Sequence, residues 1–230
     1  MYKAIFIDLD DTLWDCKQNA LDAFFEVYET FKLSNIFNSF DHFCELYYPN
    51  NDVLWQAYSE GAINKDKLNT DRFRYPFYQV EFRDNVFIDE FRNSYLTLVP
   101  TKSKLIEGAI DLLEYLKDKY PLYILSNGFT ETQYTKIKSG GLNKYFEEVF
   151  LSDEIGYHKP SKEIFQFVLN KTEIAAEHAL MVGDNIATDI IGAQKAMIDQ
   201  IYFNPDNKQV DTYIPPTHIV SKLKEIKSII

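Results

Sequence analysis

Three carboxylates, Asp8, Asp10 and Asp11, follow directly on the apolar run Ala4-Ile5-Phe6-Ile7. Like charges crowded at the end of a buried segment repel one another, so the cluster calls for a cation held among them. Three other stretches carry residues of compatible chemistry. Ser126-Asn127-Gly128 offers a hydroxyl and amide donors, Lys159 in His158-Lys159-Pro160 offers a positive charge, and Gly183-Asp184-Asn185 with Asp189 offers further carboxylates. Hard oxygen ligands of this kind suit magnesium, which takes one or two carboxylates, waters and a substrate phosphate.

The elements that must position these residues are short and apolar. Ala4–Ile7 is too short and too β-branched for a helix and reads as a buried strand. Leu122–Leu125, Glu148–Leu151, Ala179–Val182 and Gln200–Phe203 have the same character, as strands covered on both faces should. Helical spacing lies between them, over Ile106–Lys117, over Ser161–Leu169 with Ser161 as a cap, and over Ala187–Met197. This alternation specifies an α/β protein with an open, Rossmann-like parallel sheet and helices on both faces. Ligands of such sheets sit beyond the carboxyl ends of the strands, where three of the four reactive stretches fall, and the loop after Leu151 leads on to the fourth, at Lys159. Residues 16 to about 92 break the rhythm. They carry helical patterns such as Ala20-Phe24-Val27-Phe31 and many aromatics, and read as a helical insertion after the first strand. The polar stretch Asn64–Arg74 is expected to include a connection between helices.

Composition narrows the partners. The chain has 230 residues, 46% of them hydrophobic, and a net charge of −11, which argues against nucleic-acid polymers and anionic membranes. A small phosphorylated ligand is compatible with that charge, because a bound cation inverts the local field. Cys16 and Cys44 form no metal or redox motif and read as reduced thiols. No apolar stretch approaches a membrane span and no signal peptide precedes the first strand, so a cytoplasmic protein is expected. The Asn170-Lys171-Thr172 sequon is then a chance match. The oligomeric state is not legible.

Asp8-Leu9-Asp10-Asp11-Thr12 resembles the first motif of the haloacid dehalogenase superfamily, whose members are mostly phosphatases. Ser126-Asn127-Gly128 resembles its second motif, Lys159 its third, and Gly183-Asp184 through Asp189 its fourth. The insertion falls where this family carries its first-type cap, giving a core of residues 1–15 and 93–230 and a cap of residues 16–92. The resemblance implies Asp8 as nucleophile and Asp10 as the group that protonates the leaving oxygen and then activates water. It implies magnesium held by Asp8, the Asp10 backbone carbonyl and Asp184, with Asp189 lying behind these ligands, capping a helix beside them or touching the ion itself. Thr12, Ser126, Asn127 and Lys159 are the implied phosphate-binding groups. The Asp-Leu-Asp-Asp-Thr-Leu opening and Ser-Asn-Gly-Phe look most like the pyrimidine 5′-nucleotidase branch.

Each assignment has a plainer rival. Asp11 fits a turn or helix start, His158 a surface loop, and Trp14 ordinary packing. The cap aromatics fit a core better than a base-stacking platform. The presence of Asp10 disfavours dehalogenation, which has no leaving oxygen to protonate, and Asp11 replaces the glycine common in sugar phosphomutases. The expected activity is hydrolysis of a phosphate monoester, on a nucleoside 5′-monophosphate or similar metabolite. The alternatives are a phosphosugar phosphatase or mutase, or a silent binding protein of the same fold.

Overall fold

The computed structural model describes residues 1–210 and 212–230. Strand β1 (Ala4–Ile7) opens the chain, and four helices follow: α1 (Cys16–Thr30), α2 (Phe40–Ser59), α3 (Lys65–Gln79) and α4 (Asn85–Leu98). Then come α5 (Ala109–Leu116), β2 (Leu122–Ser126), α6 (Thr130–Ser139), β3 (Glu148–Leu151) and α7 (Ser152–Ile155). The chain closes with α8 (Lys162–Thr172), β4 (Ala179–Gly183), α9 (Ile191–Lys195), β5 (Asp199–Phe203) and β6 (His218–Val220). It divides into two compact units, Met1–Lys17 with Ser103–Ile230, and Gln18–Lys102. The boundary expected near residue 92 falls inside α4, whose buried face Ile88, Phe91 and Tyr95 continues the helical spacing past that point.

The first unit holds one six-stranded sheet in the order β3-β2-β1-β4-β5-β6. Every pairing is parallel, with β1 between β2 (Ile5 opposite Leu122) and β4 (Ile7 opposite Val182). The chain winds outward one way from β1 through β3 and the other way from β4 through β6. The carboxyl ends of β1 and β4 therefore flank the point where the winding reverses, which is where such sheets bind ligands. All four residues of β1 and all five of β4 are buried, as a strand covered on both faces requires. Phe6, Leu125, Phe150 and Met181 pack with Ile164, Phe165 and Val168 of α8 and Ala193 of α9. With helices around its sheet, this is the Rossmann-like α/β fold expected.

Local readings differ in three places. Ser161 stands at the N-cap of α8 but makes no side-chain capping bond. The helix expected from Ala187 begins as a π-helical turn, Ile186–Ile190, before α9. Asn64–Arg74 holds only the last residue of the connection, which spans residues 60–64: Asn64 caps α3 by accepting the Lys67 N–H at 2.9 Å, and the polar residues after it line a helix that buries Leu68, Phe73 and Phe77. Strand β6 is an addition, too short and too polar to stand out from sequence. Cys16 and Cys44 are unpaired. Among the described residues no helix is long and apolar enough to cross a membrane.

The second unit is held by aromatic packing. The Phe24 ring stacks on Tyr95 with centroids 3.7 Å apart and meets Tyr47 at 4.5 Å and Phe43 at 5.2 Å, both edge-on. Helices α1, α2 and α4 thus share one buried ring, and the two edge-on contacts have the geometry that aromatic quadrupoles favour. Phe24→Ala leaves a cavity at that junction and is expected to cost about 3–5 kcal/mol, read as a lowered urea midpoint in near-ultraviolet circular dichroism.

Candidate active site

The loop after β1 is shaped by its own backbone. The Asp8 N–H continues the sheet by donating to Val182 O at 2.9 Å, and the Leu13 and Trp14 N–H groups both donate to Leu9 O. The tight return is closed by Asp11, left-handed at φ 58°, whose N–H donates to Trp14 O at 2.8 Å. The Asp11 carboxylate accepts the Lys17 N–H at 3.2 Å, so Asp11 serves the turn and the start of α1.

Around Asp8 the side chains converge on one ammonium. Lys159 Nζ donates to Asp8 Oδ1 at 2.6 Å, to Asp189 Oδ1 at 2.6 Å and to Leu125 O at 2.8 Å. All three of its protons are thus placed, and the residue is buried. Asn127 fixes the backbone that carries it: its Oδ1 accepts the Lys159 N–H at 2.8 Å and its Nδ2 donates to Lys159 O at 2.9 Å. The Asn127 side chain thus fixes the Lys159 backbone and keeps one amide N–H over. Asp189 uses its second oxygen to accept the Asn185 N–H at 3.1 Å. Capping of the π-helical turn falls to Asn185, which accepts from Ala187 N and Thr188 N. Gly183 has no side chain because a Cβ there would collide with the Asp189 carboxylate.

Asp8, Asp184 and Asp189 each present a carboxylate oxygen within 4.8 Å of the others. Asp184 Oδ1 accepts the Thr12 hydroxyl at 3.1 Å. Asp8 Oδ2 and Asp184 Oδ2 have no hydrogen-bond partner among the described residues. Burial pushes the Asp8 carboxyl well above the usual range, with Asp189 and Asp184 adding to the rise against Lys159. Burial, then Asp189 and Asp11, carries Asp184 up to about 7. Burial alone would lower the Lys159 ammonium, yet Asp189 and Asp8 outweigh it and hold it raised. Both sides agree on the cause. Three carboxylates face one ammonium, which leaves two negative charges uncompensated, the deficit a divalent cation would fill. Oxygen donors at this spacing suit a hard ion.

Asp10 lies in a separate environment. Its Oδ2 accepts Gln133 Nε2 at 2.8 Å and its Oδ1 pairs with Lys136 Nζ at 2.7 Å. Gln133 Nε2 also donates to Ser126 Oγ at 2.7 Å, and that oxygen accepts the Gly128 N–H at 3.1 Å. With both acceptances made, the Ser126 hydroxyl proton remains to donate elsewhere. The structure thus gathers Asp8, Asp10, Thr12, Ser126, Asn127, Lys159, Asp184 and Asp189 at the carboxyl ends of β1, β2 and β4. Sequence reading placed Asn185 beside Asp184 without giving it the capping role, and missed Gln133 and Lys136. A signal existed for both: α6 has only two apolar residues, Tyr134 and Ile137, so a polar inner face was implied.

A profile of the haloacid dehalogenase-like hydrolases matches residues 2–196. The chain belongs to this family. A Bacillus subtilis protein described as a HAD-hydrolase, YfnB, is 32% identical over 100% of this chain and 95% of its own length. Its crystal structure, bound to magnesium, superposes with a TM-score of 0.88 at 31% identity, covering 99% of this chain and 98% of that one. The pyrimidine 5′-nucleotidases PynA of Streptococcus pneumoniae and YjjG of Escherichia coli are each 28% identical over 98% of this chain, and over 93% and 96% of their own lengths.

Removing the central ammonium tests the electrostatics. Lys159→Met leaves Asp8 and Asp189 buried without their cation, and a broken buried pair costs about 3–5 kcal/mol. Carboxyls with raised folded pKa values bind protons more tightly folded than unfolded. Their penalty is full above the raised pKa and gone near the unfolded carboxylate value of about 4. The stability gap to wild type in urea melts should therefore be wide at about pH 7 and narrower at about pH 5, and magnesium at neutral pH should recover part of it.

Proposed function

We propose that the chain is a magnesium-dependent phosphate monoester hydrolase that works through an aspartyl phosphate. The observation that carries this reading is the separation of two carboxylates on one loop. Asp8 sits against Lys159 in a buried acidic cluster, while Asp10 points to Gln133 and Lys136 of α6. Two like groups held in unlike surroundings can take different parts in one reaction.

In the first half, an Asp8 carboxylate oxygen bonds to phosphorus as the bond from phosphorus to the ester oxygen breaks, and Asp10 delivers its proton to the departing oxygen. In the second half, water attacks phosphorus and gives a proton to Asp10. The bond from phosphorus to Asp8 breaks, freeing inorganic phosphate and restoring both carboxyl groups. Lys159 holds Asp8 in place and offsets charge at the reacting end. The Ser126 hydroxyl proton, Thr12 and the backbone amides about Asn127 are the donors for the phosphoryl oxygens. Asp8, Asp184 and the Asp10 carbonyl would hold magnesium, with Asp189 anchoring Lys159 behind them. When bound, the ion supplies charge that offsets repulsion between carboxylate and phosphate.

The substrate we favour is a nucleoside 5′-monophosphate or similar small phosphometabolite. The support is the pair of full-length relatives that carry the pyrimidine 5′-nucleotidase name. In this reading the helical unit is the cap and supplies the discrimination between leaving groups. The test is phosphate release from p-nitrophenyl phosphate with magnesium, then a panel of nucleoside monophosphates and sugar phosphates. Pyrimidine monophosphates should lead the panel, and chelation of magnesium should stop turnover. Asp8→Asn should remove activity with the circular dichroism spectrum unchanged, because an amide oxygen is a far poorer nucleophile. Steady turnover by Asp8→Asn in a clean preparation would sink the assignment.

A further inference from the structure

The inner face of α6 is polar where a helix against a sheet is ordinarily apolar. Gln133 and Lys136 are buried, and an unpaired amide or ammonium there would be costly. Their donors are instead committed to Asp10, one to each carboxylate oxygen, while Gln133 Oε1 has no hydrogen-bond partner among the described residues. The orientation of the Gln133 amide follows from chemistry, since only its NH2 end can face a carboxylate. Gly128 makes room for it, because a Cβ at that position would collide with the Gln133 side chain. Lys136 Nζ also lies 4.6 Å from the centroid of the buried Trp14 ring, a cation–π contact that holds the ammonium on its other side. Trp14 in turn belongs to the Asp8–Asp10 loop, through its bridge to Asp10 and its carbonyl bond to Asp11.

We propose that Gln133 and Lys136 are positioning residues for Asp10. They hold its carboxyl group in one orientation before substrate arrives, so the oxygen that serves the leaving group, and then water, is already in place. This inference rests on Asp10 being the proton donor and acceptor of the proposed reaction. The Asp10 side chain is 28% exposed on a loop, and without the clamp its rotation would have to be frozen in each turnover. Neither residue exchanges a proton in this scheme; the proton passes from Asp10 to the ester oxygen and from water back to Asp10.

The test compares Lys136→Met and Gln133→Met with wild type on p-nitrophenyl phosphate and on an alkyl phosphate. The alkyl leaving group is the more basic and depends more on a proton from Asp10. Misplacing a catalytic group by about 1 Å can cost about 10²-fold, so kcat/KM on the alkyl ester should fall at least about ten-fold further than on the aryl ester. In an Asp10→Asn background, Lys136→Met should add little further loss, because the two act as a unit. Equal losses on both esters, or losses that multiply in the double variant, would show a merely structural role and overturn the proposal. Circular dichroism and thermal melts check folding. If Lys136→Met does not fold, Gln133→Met, which keeps the ion pair, decides by the same comparison. Absence of wild-type turnover on either ester would overturn both this inference and the hydrolase reading, whereas uniform losses with an active wild type overturn this inference alone.

Discussion

Lys159 Nζ lies where the carboxyl ends of β1, β2 and β4 converge, and its three protons go to Asp8, to the Leu125 carbonyl and to Asp189. Taking an ammonium and two carboxylates out of water costs several kcal/mol per ion, about as much as their attraction returns unless every proton and lone pair is placed. The surrounding structure is arranged to place them. Asn127 grips the Lys159 peptide from both sides, the π-helical turn brings Asp189 back over Gly183, and β2 supplies a carbonyl. The ammonium does not neutralise the cluster. Asp8 and Asp184 remain raised beside it, and that residual negative charge is what the proposed divalent cation would offset.

The same loop carries a second carboxylate that avoids this cluster. Asp10 turns to α6, where an amide and an ammonium one turn apart receive it. Two aspartates separated by one residue would repel each other if they faced the same space. Two different cations, Lys159 and Lys136, keep them apart in environment though adjacent in chain. Ser126 links the two regions, accepting from Gln133 and from the Gly128 N–H. The 3.6-residue period of one helix and the strand-end loop of β1 are both needed for this division.

The parallel sheet makes it possible. Because β1 is central and the winding reverses beside it, the residues just after β1, β2 and β4 meet without any long-range rearrangement of the chain. The helical unit is built on a different principle, an aromatic core in which Phe24 touches rings from α2 and α4. Its sequence is accordingly rich in Phe and Tyr at helical spacing, while the strands mix aliphatic residues with a few aromatics such as Phe6, Tyr123 and Phe150. Two compact units with unlike cores arise from one chain because each buries its own surface.

By itself the sequence determined the strands β1 to β5, the parallel α/β class and the strand-end identity of Asp8, Asp10, Ser126 and Asp184. These are local properties: short apolar runs declare strands, and residues next to a strand's end in the chain stay next to it in space. The helical character of 64–74 was hidden because its polar residues look like a connection until Asn64 is seen to cap them. The edge strand β6 was hidden by its brevity. Only the tertiary structure decided which oxygen of each carboxylate is occupied, that the Asn127 side chain serves Lys159, that Asn185 caps the turn and Asp189 ties it back, and that Gln133 and Lys136 hold Asp10. Those are pairings between groups far apart in the chain, and their geometry depends on how strands and helices pack against one another, which no residue's type or spacing encodes.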